Sequence, residues 1–426
     1  MAKKFDVPRG MKDIYPEEMR VRKWIFGKIR KILDSHGFLE VEPTVIENFE
    51  TLSAKSGEEI EKEIYAFEDK AGRKLGLRFD LTVGISRMVS NKAYPKPLKW
   101  YAMSNMFRYD APQKGRYRCF WQWDVEILGS KSFLSELECL IISAKVMNSF
   151  DLDFLIKINS RKIVDAILDE FGIKSKVEFL RSLDKLPKIG KDGVLKELKE
   201  KNIDVSKAEE ILNMTSCKYE EIKEFLKNNE ESMEEIERID NILNYFEYFR
   251  KEEKMRKINC EFDFSIVRGL DYYTGVVFEG FVPSSSLSSA VLGGGRYDNL
   301  LEIYTGGEKI PCVGFAGGVE RLMVVLDELG KVPEEITKPS VEYFVCFASR
   351  TEKCLKAGIK ISELLRKEGK SCFVDTSERN LSNQLRFANK INAKKVVIIG
   401  EKDVESGKVT VKDLETGKEE AIEVQI

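Results

Sequence analysis

Between residues 118 and 127 the chain changes character at every step. Cys119, Trp121, Trp123, Val125 and Ile127 are apolar, whereas Arg118, Phe120, Gln122, Asp124 and Glu126 are mostly polar or charged. A period of two puts alternate side chains on opposite faces, which predicts a β-strand with two unlike sides. The loop ahead of it carries Lys114, Arg116 and Arg118 around Gly115, and Arg108 lies on the strand before that. Arg108 and Arg116 are permanent cations whose planar donor forks match phosphate oxygens. Gly115 permits a tight turn beside them. Phe120, the aromatic on the polar side, offers a face on which a flat heterocycle can stack, with an arginine on its other side. On these residues alone, a solvated hairpin loop with surface ion pairs explains the pattern about as well.

The rest of the chain gives this hairpin a setting. Residues 17–35 read as an amphipathic helix, followed by a strand broken at Pro43. Residues 61–70 and 75–80 read as short strands around a turn at Gly72, and 80–91 as a helix with Asp80 near its start. A helix over 132–148 and the strand LDFLIKINS come next. From about 171 to 255 Lys, Glu, Leu and Ile recur at helical spacing, which predicts an all-α insertion. Strands return at INCEFDFSI, YYTGVVFEGFV and SSAVLGGGR, and CVGFAGGVERLMVVLDELG reads as strand, glycine turn and helix. Strands adjacent in sequence predict a mainly antiparallel sheet with helices, an α+β domain over residues 1–330. Residues 331–340 have linker chemistry. Over 341–426 strand and helix alternate, which predicts a small C-terminal α/β domain with a largely parallel sheet.

Bulk properties exclude several kinds of chemistry. With 42% hydrophobic and 33% charged residues and a net charge of −2, the chain suits a globular protein without a global field for polyanions. Any polyanion site is therefore local. No apolar run reaches the roughly 18 residues of a membrane helix, and the N-terminal segment has no apolar targeting core. A cytoplasmic protein is expected. The 8 cysteines are scattered without a CxxC pair, so neither structural zinc nor a disulfide framework is expected. The single histidine, His36, rules out Ser-His-Asp and Cys-His mechanisms. Catalysis has to run on arginines, carboxylates, tyrosines, backbone groups and an ion that arrives with substrate.

Four further stretches carry polar residues that a core does not need. RGLDYYTG places Arg268 and Asp271 around a glycine, then Tyr272 and Tyr273 at what reads as a strand start, where only one tyrosine can face a given cavity. LGGGRYDNL holds three consecutive glycines, which weaken a strand unless another group must come close. It is not a dinucleotide fingerprint. GFAGGVERLM reads as a helix opened by Gly317 and Gly318, with Arg321 in the first turn, where a cation opposes the helix dipole. In LRFDLT, Asp80 and Thr82 suit either an ammonium group or a helix N-cap.

In this order the five stretches resemble the histidyl-tRNA synthetase family of class II aminoacyl-tRNA synthetases, in its archaeal and eukaryotic-like branch. PRGMKDIYP and EVEPTVIE are similar to the family's N-terminus and first class motif, the hairpin to its second motif, and GFAGGVERL to its third. RGLDYYTG and LGGGRYDNL are similar to its two histidine-specific motifs. The resemblance implies ATP-dependent attachment of histidine to tRNA(His) through a histidyl-adenylate, with Mg²⁺ on ATP, no prosthetic group, and a homodimer. It implies Arg108 and Arg268 as catalytic, and Asp80, Thr82, Gln122, Glu126, Tyr272, Tyr273 and Tyr297, with both arginines, as histidine-binding. ATP would be held by Arg108, Asp110, Arg116, Phe120 and Arg321, with Phe120 and Arg321 around adenine, and the tRNA acceptor end by Gln113 and Lys114. No metal ligand among the side chains is implied. Residues 341–426 resemble an anticodon-binding domain. The chain departs from the family pattern at Asp110, where Glu is common, at Gly84, often Pro, and at Trp121 and Trp123, which flank Gln122. The resemblance puts Gly84 and the two tryptophans around the histidine pocket. Rival readings on the same fold are a regulatory subunit of histidine biosynthesis, a tRNA sensor, and a prolyl-, threonyl- or glycyl-specific relative. The histidine motifs, the C-terminal domain and the arginines argue against them.

Overall fold

The computed structural model describes residues 5–54, 61–112, 115–268, 272–338 and 341–423. Gln113, Lys114 and Asp271 lie outside that set. The chain divides into one unit built mainly from Arg22–Lys331 and another from Tyr15–Val21 with Val332–Ile426. In chain order the strands of the first unit are β1 (Leu39–Glu40), β2 (Ile46–Asn48), β3 (Ala66–Glu68), β4 (Lys74–Leu77), β5 (Leu98–Phe107), β6 (Cys119–Leu128), β7 (Phe154–Ser160), β8 (Ile258–Phe262), β9 (Val276–Phe281), β10 (Leu292–Arg296) and β11 (Cys312–Gly318). Those of the second are β12 (Val341–Phe347), β13 (Cys372–Val374), β14 (Ala393–Ile399), β15 (Lys408–Asp413) and β16 (Glu419–Glu423).

Eight strands of the first unit form a sheet in the order β1-β5-β6-β11-β10-β9-β7-β8, and β2, β4 and β3 form a small one beside it. The large sheet is antiparallel except at its two outer pairs, β1 with β5 and β7 with β8. The β7–β8 exception has a covalent cause. Parallel neighbours need a crossover rather than a hairpin, and here the helices from Arg161–Glu170 to Glu230–Glu252 make it. The first of these precedes the composition change near residue 171.

The alternation along β6 decides which side of the sheet holds which chemistry. Trp121 and Trp123 turn one way, where Trp121 meets Phe26 at 5.4 Å and Trp123 meets Phe315 at 5.1 Å. Gln122, Asp124 and Glu126 turn the other way. The two tryptophans that flank Gln122 in sequence therefore pack away from it. Gly84 has a separate reason: a Cβ there would lie 2.6 Å from Pro43, so this helix face closes on the segment where the first strand breaks.

In the second unit the order is β13-β12-β14-β15-β16. β13, β12 and β14 are parallel, but β14–β15 and β15–β16 are antiparallel. The sheet is thus mixed rather than largely parallel, because the chain after β15 returns by a short turn with no room for a crossover helix. Two apolar clusters, around Val345 and Phe347 and around Phe344 and Val396, occupy its two faces.

Candidate active site

Cross-strand register builds the floor of the site. Glu126 on β6 stands opposite Trp100 on β5 and Gly314 on β11, and Gly314 stands opposite Gly295 on β10. One row along, Ala102, Asp124, Ala316, Gly293 and Glu279 line up across β5, β6, β11, β10 and β9. The glycines are there because neighbours occupy the space of a side chain. A Cβ on Gly314 would fall 1.7 Å from the Glu126 carboxylate, and one on Gly293 would fall 2.4 Å from the Arg268 guanidinium. The three-glycine run is a strand, not a flexible turn.

Glu126 is the acid of this floor. It is 1% exposed, accepts a hydrogen bond from Thr82 Oγ1 at 2.7 Å, and accepts another from the Tyr297 hydroxyl. Burial pushes its carboxyl up to about 7, against the pull of those two hydroxyls and with a further push from Asp80. Asp80 caps the Thr82–Asn91 helix, its Oδ1 accepting from Val83 N–H at 3.0 Å. Burial raises Asp80 above the ordinary carboxylate range, with the Val83 N–H and Arg108 opposing. The N-cap and ammonium roles open to Asp80 from sequence are compatible, because only one of its oxygens is used.

The tyrosines of RGLDYYTG depart from the strand expectation. β9 begins only at Val276, so Tyr272 and Tyr273 lie in the loop before it and strand parity does not separate them. Both are buried with ring centroids 4.8 Å apart, and Tyr272 meets Tyr297 at 5.7 Å. Gly317 and Gly318 end β11, and Gly318 also serves as the N-cap of the helix Val319–Glu328, so the expected opening holds at Gly318. Gly317 leaves room for the Trp123 ring. Arg296 turns away from the site and forms a double hydrogen bond with Glu136, both contacts at 2.7 Å.

The cations gather at the other end of the same face. Arg108 Nε donates to the Phe79 carbonyl at 2.9 Å, and its guanidinium lies 5.2 Å from the Phe120 ring. Arg116 is ion-paired with Asp110. Arg268 donates to Glu279 at 2.7 Å and holds a left-handed backbone, φ 58, which costs a non-glycine residue about 1–3 kcal/mol and is kept where the surroundings demand it. Arg321 donates to the Ala290 carbonyl at 2.6 Å, and a Cβ on Gly115 would lie 3.7 Å from its side chain. Burial holds Arg321 below the ordinary arginine range, and the charges of Arg116, Arg108 and Arg268 hold it there further. Four guanidiniums from three segments thus gather in one place, with the charges of the other three acting on Arg321, an arrangement that calls for a polyanion. Arg118 stands apart from them. Its guanidinium lies 3.8 Å from the Tyr109 ring and reaches the carbonyls of Arg9 and Asp110, pinning the N-terminal segment.

Comparison with known proteins agrees with this geometry. A family model described as histidyl-tRNA synthetase matches residues 10–322, and one described as an anticodon binding domain matches 343–425. The chain belongs to the histidyl-tRNA synthetase family. It is 36% identical to the histidine–tRNA ligase of Pyrococcus furiosus over 98% of this chain and 96% of that one. It is 38% identical to that of Methanococcus maripaludis over 99% of each. Both relatives are archaeal. The fold is similar to the crystal structure of histidyl-tRNA synthetase from Nostoc sp. PCC 7120, with a TM-score of 0.78 and 24% identity over 99% of this chain and 97% of that one.

Two site residues, Asp124 and Glu279, receive no role from the sequence reading. Asp124 shares the polar parity of β6 with Gln122 and Glu126, and that parity was the available clue. Glu279, the partner of Arg268, reaches the site through the β9–β10 register, for which the sequence carries no local sign.

Proposed function

We propose that this chain activates histidine with ATP and transfers it to the 3′ end of tRNA(His). The observation that carries the reading is a buried, hydroxyl-bound Glu126 on the same sheet face as four clustered arginines. In the first step the histidine carboxylate attacks the α-phosphorus of ATP and pyrophosphate leaves. Arg108 and Arg268 stabilise the charge that builds on the equatorial oxygens. Arg116 reaches the γ-phosphate, paired meanwhile with Asp110, and Phe120 and Arg321 take the adenine. In the substrate-free site Arg108 covers the Phe120 ring, so adenine entry displaces it. No protein nucleophile is needed, because positioning supplies most of the rate. In the second step a terminal ribose hydroxyl of tRNA attacks the adenylate carbonyl.

Glu126 hydrogen-bonds the imidazole, with Tyr272, Tyr273 and Tyr297 enclosing it. Asp80, Thr82 and Gln122 receive the α-ammonium. A site built to hydrogen-bond an imidazole rejects apolar isosteres by roughly 10⁴-fold. Mg²⁺ enters as part of the ATP substrate. Among the described residues no group of three His, Cys, Asp or Glu side chains is arranged to hold a metal. Gln113 and Lys114, expected at the tRNA acceptor end, lie outside the described residues. We place the catalytic domain over 1–330, a linker at 331–340 and the anticodon-binding domain at 341–426, in a cytoplasmic homodimer. Among the described residues no helix is long and apolar enough to cross a membrane.

ATP–pyrophosphate exchange with each amino acid in turn tests the reading. Exchange with histidine alone is expected. Exchange with none, from folded protein, would overturn it in favour of a regulatory or tRNA-sensing relative.

A further inference from the structure

Three buried side-chain oxygens on the site face of the sheet have no hydrogen-bond partner: Oδ2 of Asp80, Oδ1 of Asp124 and Oε1 of Gln122. A buried acceptor left unpaired is costly, so a native site that keeps three of them is waiting for donors. A primary ammonium group has three donors and no acceptor. Asp124 and Gln122 project from the same face of β6, two residues apart and so about 7 Å along the strand. Asp80 lies close enough for its charge to act on Asp124. The cross-strand neighbours of Asp124 are Ala102 and Ala316, whose methyl groups leave the space before it open.

We propose that Asp124 is a substrate-binding residue, a further acceptor of a socket in which its carboxylate shares the hydrogens of the α-ammonium with Asp80, Thr82 and Gln122. This rests on histidine as the substrate and adds a group to its binding site. The charge balance of the socket follows from what faces Asp124. Asp80 and the Leu81 N–H face it from the segment entering the Thr82–Asn91 helix, Glu126 from its own strand, and Arg108 from beyond β5. Tyr272 stands near the same carboxylates, uncharged at neutral pH. Burial holds the Asp124 carboxyl well above its ordinary range, and the charges of Glu126 and Asp80 hold it there further, against Arg108. An entering ammonium group offsets the repulsion among these carboxylates and so favours the ionised form of Asp124.

Calorimetry of the full-length protein near pH 7.5 tests this with three ligands. Histidine and histidinol carry the ammonium, and imidazolepropionate lacks it. Asp124→Asn keeps the shape and should weaken histidine and histidinol by roughly 10- to 100-fold. It should leave imidazolepropionate within about twofold. Equal weakening of all three ligands would reduce Asp124 to a structural role, and unchanged histidine binding would remove it from the socket. Failure of wild type to bind histidine at all would instead strike the proposed function, which keeps the two failures apart.

Discussion

Replacing Glu126 by Gln should stabilise the substrate-free protein while damaging it as an enzyme. Glu126 ordinarily would titrate at 4.5, and the folded state moves it to about 7. At ~1.4 kcal/mol per pH unit, holding this carboxylate ionised costs the fold about 3 kcal/mol. The cost is absent below pH 4.5, grows as pH rises toward 7, and is complete above it, because the unfolded chain gives up the proton first. Glutamine fills the same space between Thr82 and Tyr297 without a charge at any pH. The variant should exceed wild type by under about 1 kcal/mol at pH 5 and by about 3 kcal/mol at pH 8, read from denaturant midpoints at constant slope. Histidine-dependent exchange should fall in the same variant, since the group that reads the imidazole is weakened as an acceptor. A stability difference that is the same at pH 5 and pH 8 would refute the argument, because no titration would then be involved.

Three further outcomes follow from the geometry. Gly314→Ala puts a methyl group where the Glu126 carboxylate lies, a clash at 1.7 Å, and should cost about 1–3 kcal/mol and raise the histidine KM at least tenfold. An unchanged KM would mean that Glu126 does not face substrate. Arg268→Ala should lower the exchange kcat by roughly 100-fold or more with circular dichroism unchanged. Near-normal turnover would remove Arg268 from the reacting centre. Arg321→Ala relieves the repulsion among the four guanidiniums, so the ligand-free protein should lose no stability. Its KM for ATP should rise by roughly 10- to 100-fold, and equal ATP affinity would contradict the adenine assignment.

Much of the architecture is a local matter and was legible in the sequence. The period-two pattern of β6 set which residues share a face, because a strand cannot place neighbours together. Hairpin spacing fixed the antiparallel sheet, and the charge and composition change marked the helical insertion. The motifs identified the family, because a nucleotide needs arginines wherever the chain passes it. What the sequence could not settle depends on distance across the sheet. That Gly293 of β10 clears space for Arg268 and Gly314 for the Glu126 carboxylate is a fact of register between strands far apart in the chain. That Tyr272 and Tyr273 both point into one cluster depends on the loop extending to Val276. That Thr82 binds Glu126, leaving Asp124 unpartnered beside Asp80 and Gln122, depends on how a helix start meets a strand. Local patterns name the groups. Only the packed structure decides which are already satisfied and which keep an oxygen free for a donor.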